Sequence, residues 1–151
     1  NSGGRSVQGF WTEKNSELED VVLSPKQKDI ADFGGRFRYS PPELAIYDTI
    51  GITALAFIKS NNYGKQYEND ILVGDINNGF LYHFDLAKNR TELNLKTSLG
   101  DRIADDISQM KTNLLGYGFG KITEIKIGPD GYAYIISLSG TIFRLSFKEN
   151  S

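Results

Sequence analysis

The chain has 151 residues, 39% hydrophobic and 24% charged, with 9 Phe, 8 Tyr and no Cys. A formal net charge of -2 leaves no basic field for nucleic acid or anionic lipid, and the lack of thiols excludes disulfides, thiolate catalysis and Cys-ligated metals. No stretch approaches the ~18 apolar residues of a membrane span; the first residue is Asn, with no charged-then-apolar leader after it, which reads as a processed or truncated chain.

In chain order, residues 1–42 are rich in Gly, Ser and charge and read as an irregular, loop-rich segment. Short apolar runs occur at Val7-Gln8-Gly9-Phe10-Trp11 and Val21-Val22-Leu23, with turn material at Asp32-Phe33-Gly34-Gly35 and Ser40-Pro41-Pro42. Trp11 reads as a buried packing residue. Residues 43–151 then carry a sheet-building unit twice. Ile52-Thr53-Ala54-Leu55-Ala56-Phe57 is echoed by Ile122-Thr123-Glu124-Ile125-Lys126-Ile127, and Ile71–Leu86 aligns without a gap on Tyr132–Phe147, Gly79 matching Gly140.

A repeat of short strands with Gly turns predicts an all-β fold, a partial β-propeller of about two four-stranded antiparallel blades. The first blade, 43–100, has strands near 52–58, 71–76, 80–86 and, weaker, 92–97, with a polar loop at 59–69. In the third strand Phe80, Tyr82 and Phe84 point one way and Leu81, His83 and Asp85 the other. Ile103, Ile107, Met110 and Leu114 form the apolar stripe of one short helix near 103–115. The second blade, 116–148, has strands near 122–127, 132–138 and 141–147, a tight Gly128-Pro129-Asp130-Gly131 hairpin, and no fourth strand. A blade takes ~40–45 residues and closed propellers have ~4–8 blades. The expected partners are therefore further blades or a second copy that covers the open edges.

Antiparallel strands reverse direction, so the loop before each first strand and the turn between the second and third strands fall at one end. The candidate site draws on Asp75, Asn77, Asn78, Lys121 and Thr123, with the backbone of Gly116-Tyr117-Gly118-Phe119-Gly120. Asn77-Asn78-Gly79 also reads as plain turn chemistry, and Lys121 as a solvated strand-end residue. No catalytic residue and no metal ligand is assigned. His83 is the only histidine and reads as a packed or edge residue; Asp105-Asp106 lacks a third carboxylate at calcium-loop spacing. Asn89-Arg90-Thr91 matches a glycosylation triplet. The Gly-rich run lacks the Lys-Ser/Thr ending and the following helix of a phosphate loop.

Tyr67-Glu68-Asn69-Asp70-Ile71-Leu72-Val73-Gly74, the Asn78-Gly79-x-Leu81-Tyr82 turn and Gly118-Phe119-Gly120-x-Ile122-Thr123-x-Ile125-x-x-Gly128-Pro129-Asp130-Gly131-Tyr132-x-Tyr134 form a combination over roughly residues 40–147. It resembles the C-terminal blades of glucose/sorbosone dehydrogenase-like proteins, six-bladed propellers related to the soluble quinoprotein sugar dehydrogenases. The resemblance implies oxidation of an aldose or related sugar with pyrroloquinoline quinone and calcium in the full-length protein, outside the cytoplasm, with this chain inactive in isolation. The family's quinone-binding lysine falls on Asn77, and its Arg-x-Arg-Asp signature on Lys121-Ile122-Thr123-Glu124. Lys121, Thr123, Asn77 and Asn78 are thus the cofactor-binding positions the resemblance implies, with one of the family's cations retained. The alternative is a non-catalytic module that binds a sugar or a protein partner through the same end.

Overall fold

The computed structural model describes residues 42–48, 50–95 and 97–146. The expectations for residues 1–41, including a buried Trp11, lie outside the described residues. Two antiparallel sheets dominate. The first has strand order β2-β3-β4-β6, from β2 (Ile52–Phe57), β3 (Ile71–Asp75), β4 (Leu81–Phe84) and β6 (Leu114–Gly116). The second has order β7-β8-β9, from β7 (Ile122–Ile127), β8 (Ala133–Ser137) and β9 (Ile142–Arg144). A small parallel pair, β1 (Ala45–Ile46) with β5 (Ile103–Ala104), shares no ladder with either.

Alternation in sequence becomes two faces in space. Ala54, Ala56, Leu72 and Leu81 from the first sheet form one buried cluster with Ile122, Ile125, Ala133 and Ile135 of the second. Small residues on β2 and β3 let the sheets approach closely: a Cβ on Gly74 would stand 2.5 Å from Ile122 Cγ2. Burying each isoleucine contributes about 1.5–3 kcal/mol. The opposite face of the first sheet, with Val73, Tyr82 and Phe84, packs with Leu99, Ala104 and Met110. It covers β3 and β4 but not β2, where Leu55 and Phe57 stay 54% and 44% exposed.

The outer strand of the first sheet departs from expectation. Residues 92–95 contain only the isolated bridge Leu93–Leu86, and β6 takes the edge beside β4. The stripe from Ile103 to Leu114 is also divided. Ile103 sits in β5, Leu114 begins β6, and only Ile107–Asn113 is helical, as a 3-10 helix. Asp106 caps it, its Oδ1 accepting from Ser108 N–H at 2.6 Å; the Ser108 hydroxyl first, and then this N–H, lower the carboxyl pKa. A 3-10 turn repeats every three residues, so a four-residue stripe cannot keep one face along it. The first sheet therefore runs to residue 116, past the expected boundary at 100.

The repeat survives in three dimensions with one change. Both first strands carry a bulge at their threonine, between Ile52 and Ala54 and between Ile122 and Glu124. Ile52 pairs with Asp75, while Ile122 pairs with Ser137. Asp75 therefore matches Ser137, not Ile136 as the ungapped alignment has it. The extra residue lies in the turn: Asp75 N–H bonds Phe80 O at 3.0 Å, but Ser137 N–H bonds Thr141 O at 2.9 Å. Sliding β8 by one residue would turn its buried face outward, so the turn absorbs the difference. In the Gly128–Gly131 hairpin only Gly131 takes a positive φ, +80°; Asp130 does not.

Candidate functional site

The strand-end turns gather at one end of the two sheets. Asp75 closes β3 and is fully buried. Its Oδ1 accepts from the N–H groups of Gly51 at 3.0 Å and Asn77 at 2.8 Å. Its Oδ2 accepts from Asn78 N–H at 3.3 Å and Asn78 Nδ2 at 2.7 Å. One carboxylate thus ties the loop before β2 to the β3–β4 turn. Ser137 performs the reduced version, its Oγ accepting from Ser139 Oγ at 3.1 Å.

The turn of the first sheet then leans on the glycine run of the second. Gly79 has φ +67°, and a Cβ there would stand 2.4 Å from Gly120 O, so backbone meets backbone. Gly120, with φ +72°, faces Ser137 Oγ, and Leu138 N–H bonds Lys121 O at 2.8 Å. Asn77, Asn78 and Lys121 are exposed around this junction. Thr123 belongs to the same end but is half-buried, its Oγ1 donating to Ile136 O at 3.1 Å. Its repeat counterpart Thr53 donates instead across the sheets, to Ile122 O at 2.6 Å.

The four positions taken from sequence therefore divide. Lys121 offers its ammonium to solvent; Asn78 has its amide nitrogen on Asp75; Thr123 is bonded inside its own sheet; Asn77 presents an exposed side chain and gives its backbone N–H to Asp75. Asp75 itself is buried beneath donors and serves the turn. Tyr117, in the same glycine run and 76% exposed, is a group that sequence reasoning passed over. Its signal was a ring between two glycines, with no bulky neighbour to cover it. The end exposes a cation and an aromatic ring beside the two asparagines, groups with which proteins hold polar, hydroxylated ligands.

His83 lies at the other end of the first sheet. Its Nε2 donates to Asp70 Oδ2 at 2.9 Å, and its ring packs edge-on against Tyr67 at 5.2 Å. Asn89 and Thr91 sit on an exposed turn, with Thr91 N–H bonded to Asn89 Oδ1 at 3.2 Å. Among the described residues, no helix is long and apolar enough to cross a membrane. Comparison with protein-family models, curated proteins and solved structures gave no match.

Proposed function

We propose that this chain supplies two neighbouring blades of a β-propeller, and that their turn end binds a sugar or similar small polar ligand without oxidising it. The blade reading rests on two successive antiparallel sheets that open on the same bulged Ile-Thr strand and pack face to face. The uncovered Leu55 and Phe57 on β2 fit a face that a preceding blade or a second copy would cover. Binding rests on one observation: the turn of one sheet abuts the glycine run of the next, beside exposed Tyr117, Asn77, Asn78 and Lys121.

Quinone-dependent oxidation of an aldose outside the cytoplasm is the second reading, favoured by the exposed Lys121. Pyrroloquinoline quinone carries three carboxylates, however, and only Lys121 among the implied positions brings a positive charge. Thr123 and the Asn78 amide are bonded internally, and both carboxylate oxygens of Asp75 are taken up by N–H donors. The residues present do not fit a cofactor gripped by its carboxylates, and this favours binding over oxidation.

The test is calorimetric titration of the full chain with glucose, galactose and mannose, and separately with pyrroloquinoline quinone plus calcium. Saturable sugar binding that Tyr117→Ala and Lys121→Ala each weaken at least about fivefold supports the module. Quinone binding that Lys121→Ala abolishes would transfer the site to the dehydrogenase reading. Binding of neither ligand class refutes both.

A further inference from the structure

At the end of the first sheet opposite the Asp75 turn, Asp70 precedes β3 and Asp85 follows β4. Ile71 pairs with Phe84 and Leu72 with His83, so one further step along the ladder sets Asp70 opposite Asp85. His83 is two residues from Asp85 and shares its face. Asp70 and Asp75 are five strand steps apart, about 17 Å at ~3.3 Å per residue, so this cluster is independent of the ligand site proposed above.

His83 Nε2 lies 2.9 Å from Asp70 Oδ2 and 3.7 Å from Asp85 Oδ1, and one ligating atom from each residue falls within 4.8 Å of the others. Around a zinc ion with bonds of about 2.1 Å, tetrahedral neighbours stand roughly 3.4 Å apart, between the two histidine distances. The side chains are 9%, 16% and 41% exposed for Asp70, His83 and Asp85, a graded opening from sheet to solvent. The surroundings fix the donors. Leu86 N–H bonds Asp70 Oδ1 at 3.3 Å, leaving Oδ2 turned to the histidine, and Asn113 Nδ2 holds the His83 carbonyl at 3.1 Å. The Asp70 main chain is bonded on both sides, to Tyr67 O and from Ile58 N–H. Two carboxylates with one imidazole form a mixed oxygen–nitrogen set suited to zinc and its first-row neighbours. Their combined charge with a neutral imidazole is balanced by a doubly charged ion.

We propose that Asp70, His83 and Asp85 bind one divalent transition-metal ion, with zinc as the probe. The ion takes the place of the Nε2 proton now shared with Asp70, the neutral imidazole then carrying its proton on Nδ1, and a fourth position is left for water.

The experiment is calorimetric titration of the metal-stripped, full 151-residue chain with zinc chloride. The expected result is one ion per chain with micromolar or tighter affinity. Asp85→Asn should weaken binding at least about tenfold and His83→Gln should abolish it. Asp85 is the most exposed of the three, so Asp85→Asn should melt as the wild type does without metal, and it decides the matter if His83→Gln fails to fold. Absence of saturable binding, or Asp85→Asn binding zinc as tightly as the wild type, overturns the proposal in favour of a plain His–Asp pair.

Discussion

Tyr63→Phe is a sharp test of how the two sheets are joined. Tyr63 follows β2, in a 3-10 turn, yet its phenol oxygen reaches into the second sheet. There it accepts from Ala133 N–H at 2.6 Å and donates to Leu145 O at 3.0 Å. Ala133 is fully buried and Tyr63 nearly so. The substitution keeps the ring and its edge-on contact with Tyr132, centroids 5.9 Å apart, and removes only the oxygen. An orphaned buried N–H costs about 1–3 kcal/mol, and the second bond adds about 0.5–1.5. The expected loss is therefore roughly 1.5–4.5 kcal/mol. At about 2–4 °C per kcal/mol for a chain of this length, Tm should fall by roughly 3–18 °C. Thermal and urea melts followed by far-UV circular dichroism would measure it, with an unchanged denaturant slope. A loss below about 0.5 kcal/mol would refute the reasoning and mean that the Tyr63 hydroxyl adds nothing to the joint between the sheets.

Three further substitutions probe the same interior, with Lys121→Ala as an exposed control. Asp75→Asn replaces a carboxylate that accepts from three backbone N–H groups; it should cost about 3 kcal/mol or more, read as a lower urea midpoint, while Lys121→Ala should stay within about 0.5 kcal/mol. Gly74→Ala drives a Cβ against Ile122 and should cost about 1–3 kcal/mol, checked by the same melt. Tyr82 is buried, and its hydroxyl has no hydrogen-bond partner among the described residues; Tyr82→Phe should be neutral or stabilising by about 1 kcal/mol at pH 7. Burial first, then the Asp75 charge, pushes the Tyr82 phenol up to about 12 from 10.0. The folded chain holds this proton more tightly than the unfolded one. Stability is therefore full below pH 10 and falls as pH rises from 10 to 12. Tyr82→Phe should remove about 2 kcal/mol of that alkaline loss, measured as the difference in urea unfolding energy between pH 9 and pH 12. An identical alkaline loss in the variant would contradict the assignment.

The strands were legible where side chains alternate and turns are marked by glycine: β7 has the bounds its sequence suggests, and β2, β3 and β8 lie within a residue of theirs. The outer strand was not, because Leu114-Leu115-Gly116 is three residues long and continues an apolar stripe that also suits a helix. Leu93 and Leu95 alternate like strand residues, but β6 already pairs with β4. At the turn end, Asp75 was among the candidate site residues, but its structural part was not legible. Its partner Gly51 lies 24 residues away, a link no local pattern carries. The Asp70–His83–Asp85 group was half visible, since His83 and Asp85 share a face by simple alternation. Asp70 joins them only through the pairing of β3 with β4, which fixes which residues stand opposite.

The two bulged threonines bear on how such units can multiply. Thr53 links its sheet to the next by donating to a main-chain carbonyl, that of Ile122, which every amino acid possesses. A duplicated unit would therefore find its acceptor ready-made in whatever copy follows it. The receiving side chain could drift without erasing the joint. Only the donor hydroxyl and the bulge that aims it would need to be inherited, a light genetic constraint for a connection between modules. Thr123, carrying the same hydroxyl, turns to Ile136 within its own sheet, so the residue serves either as a coupling or as an internal brace.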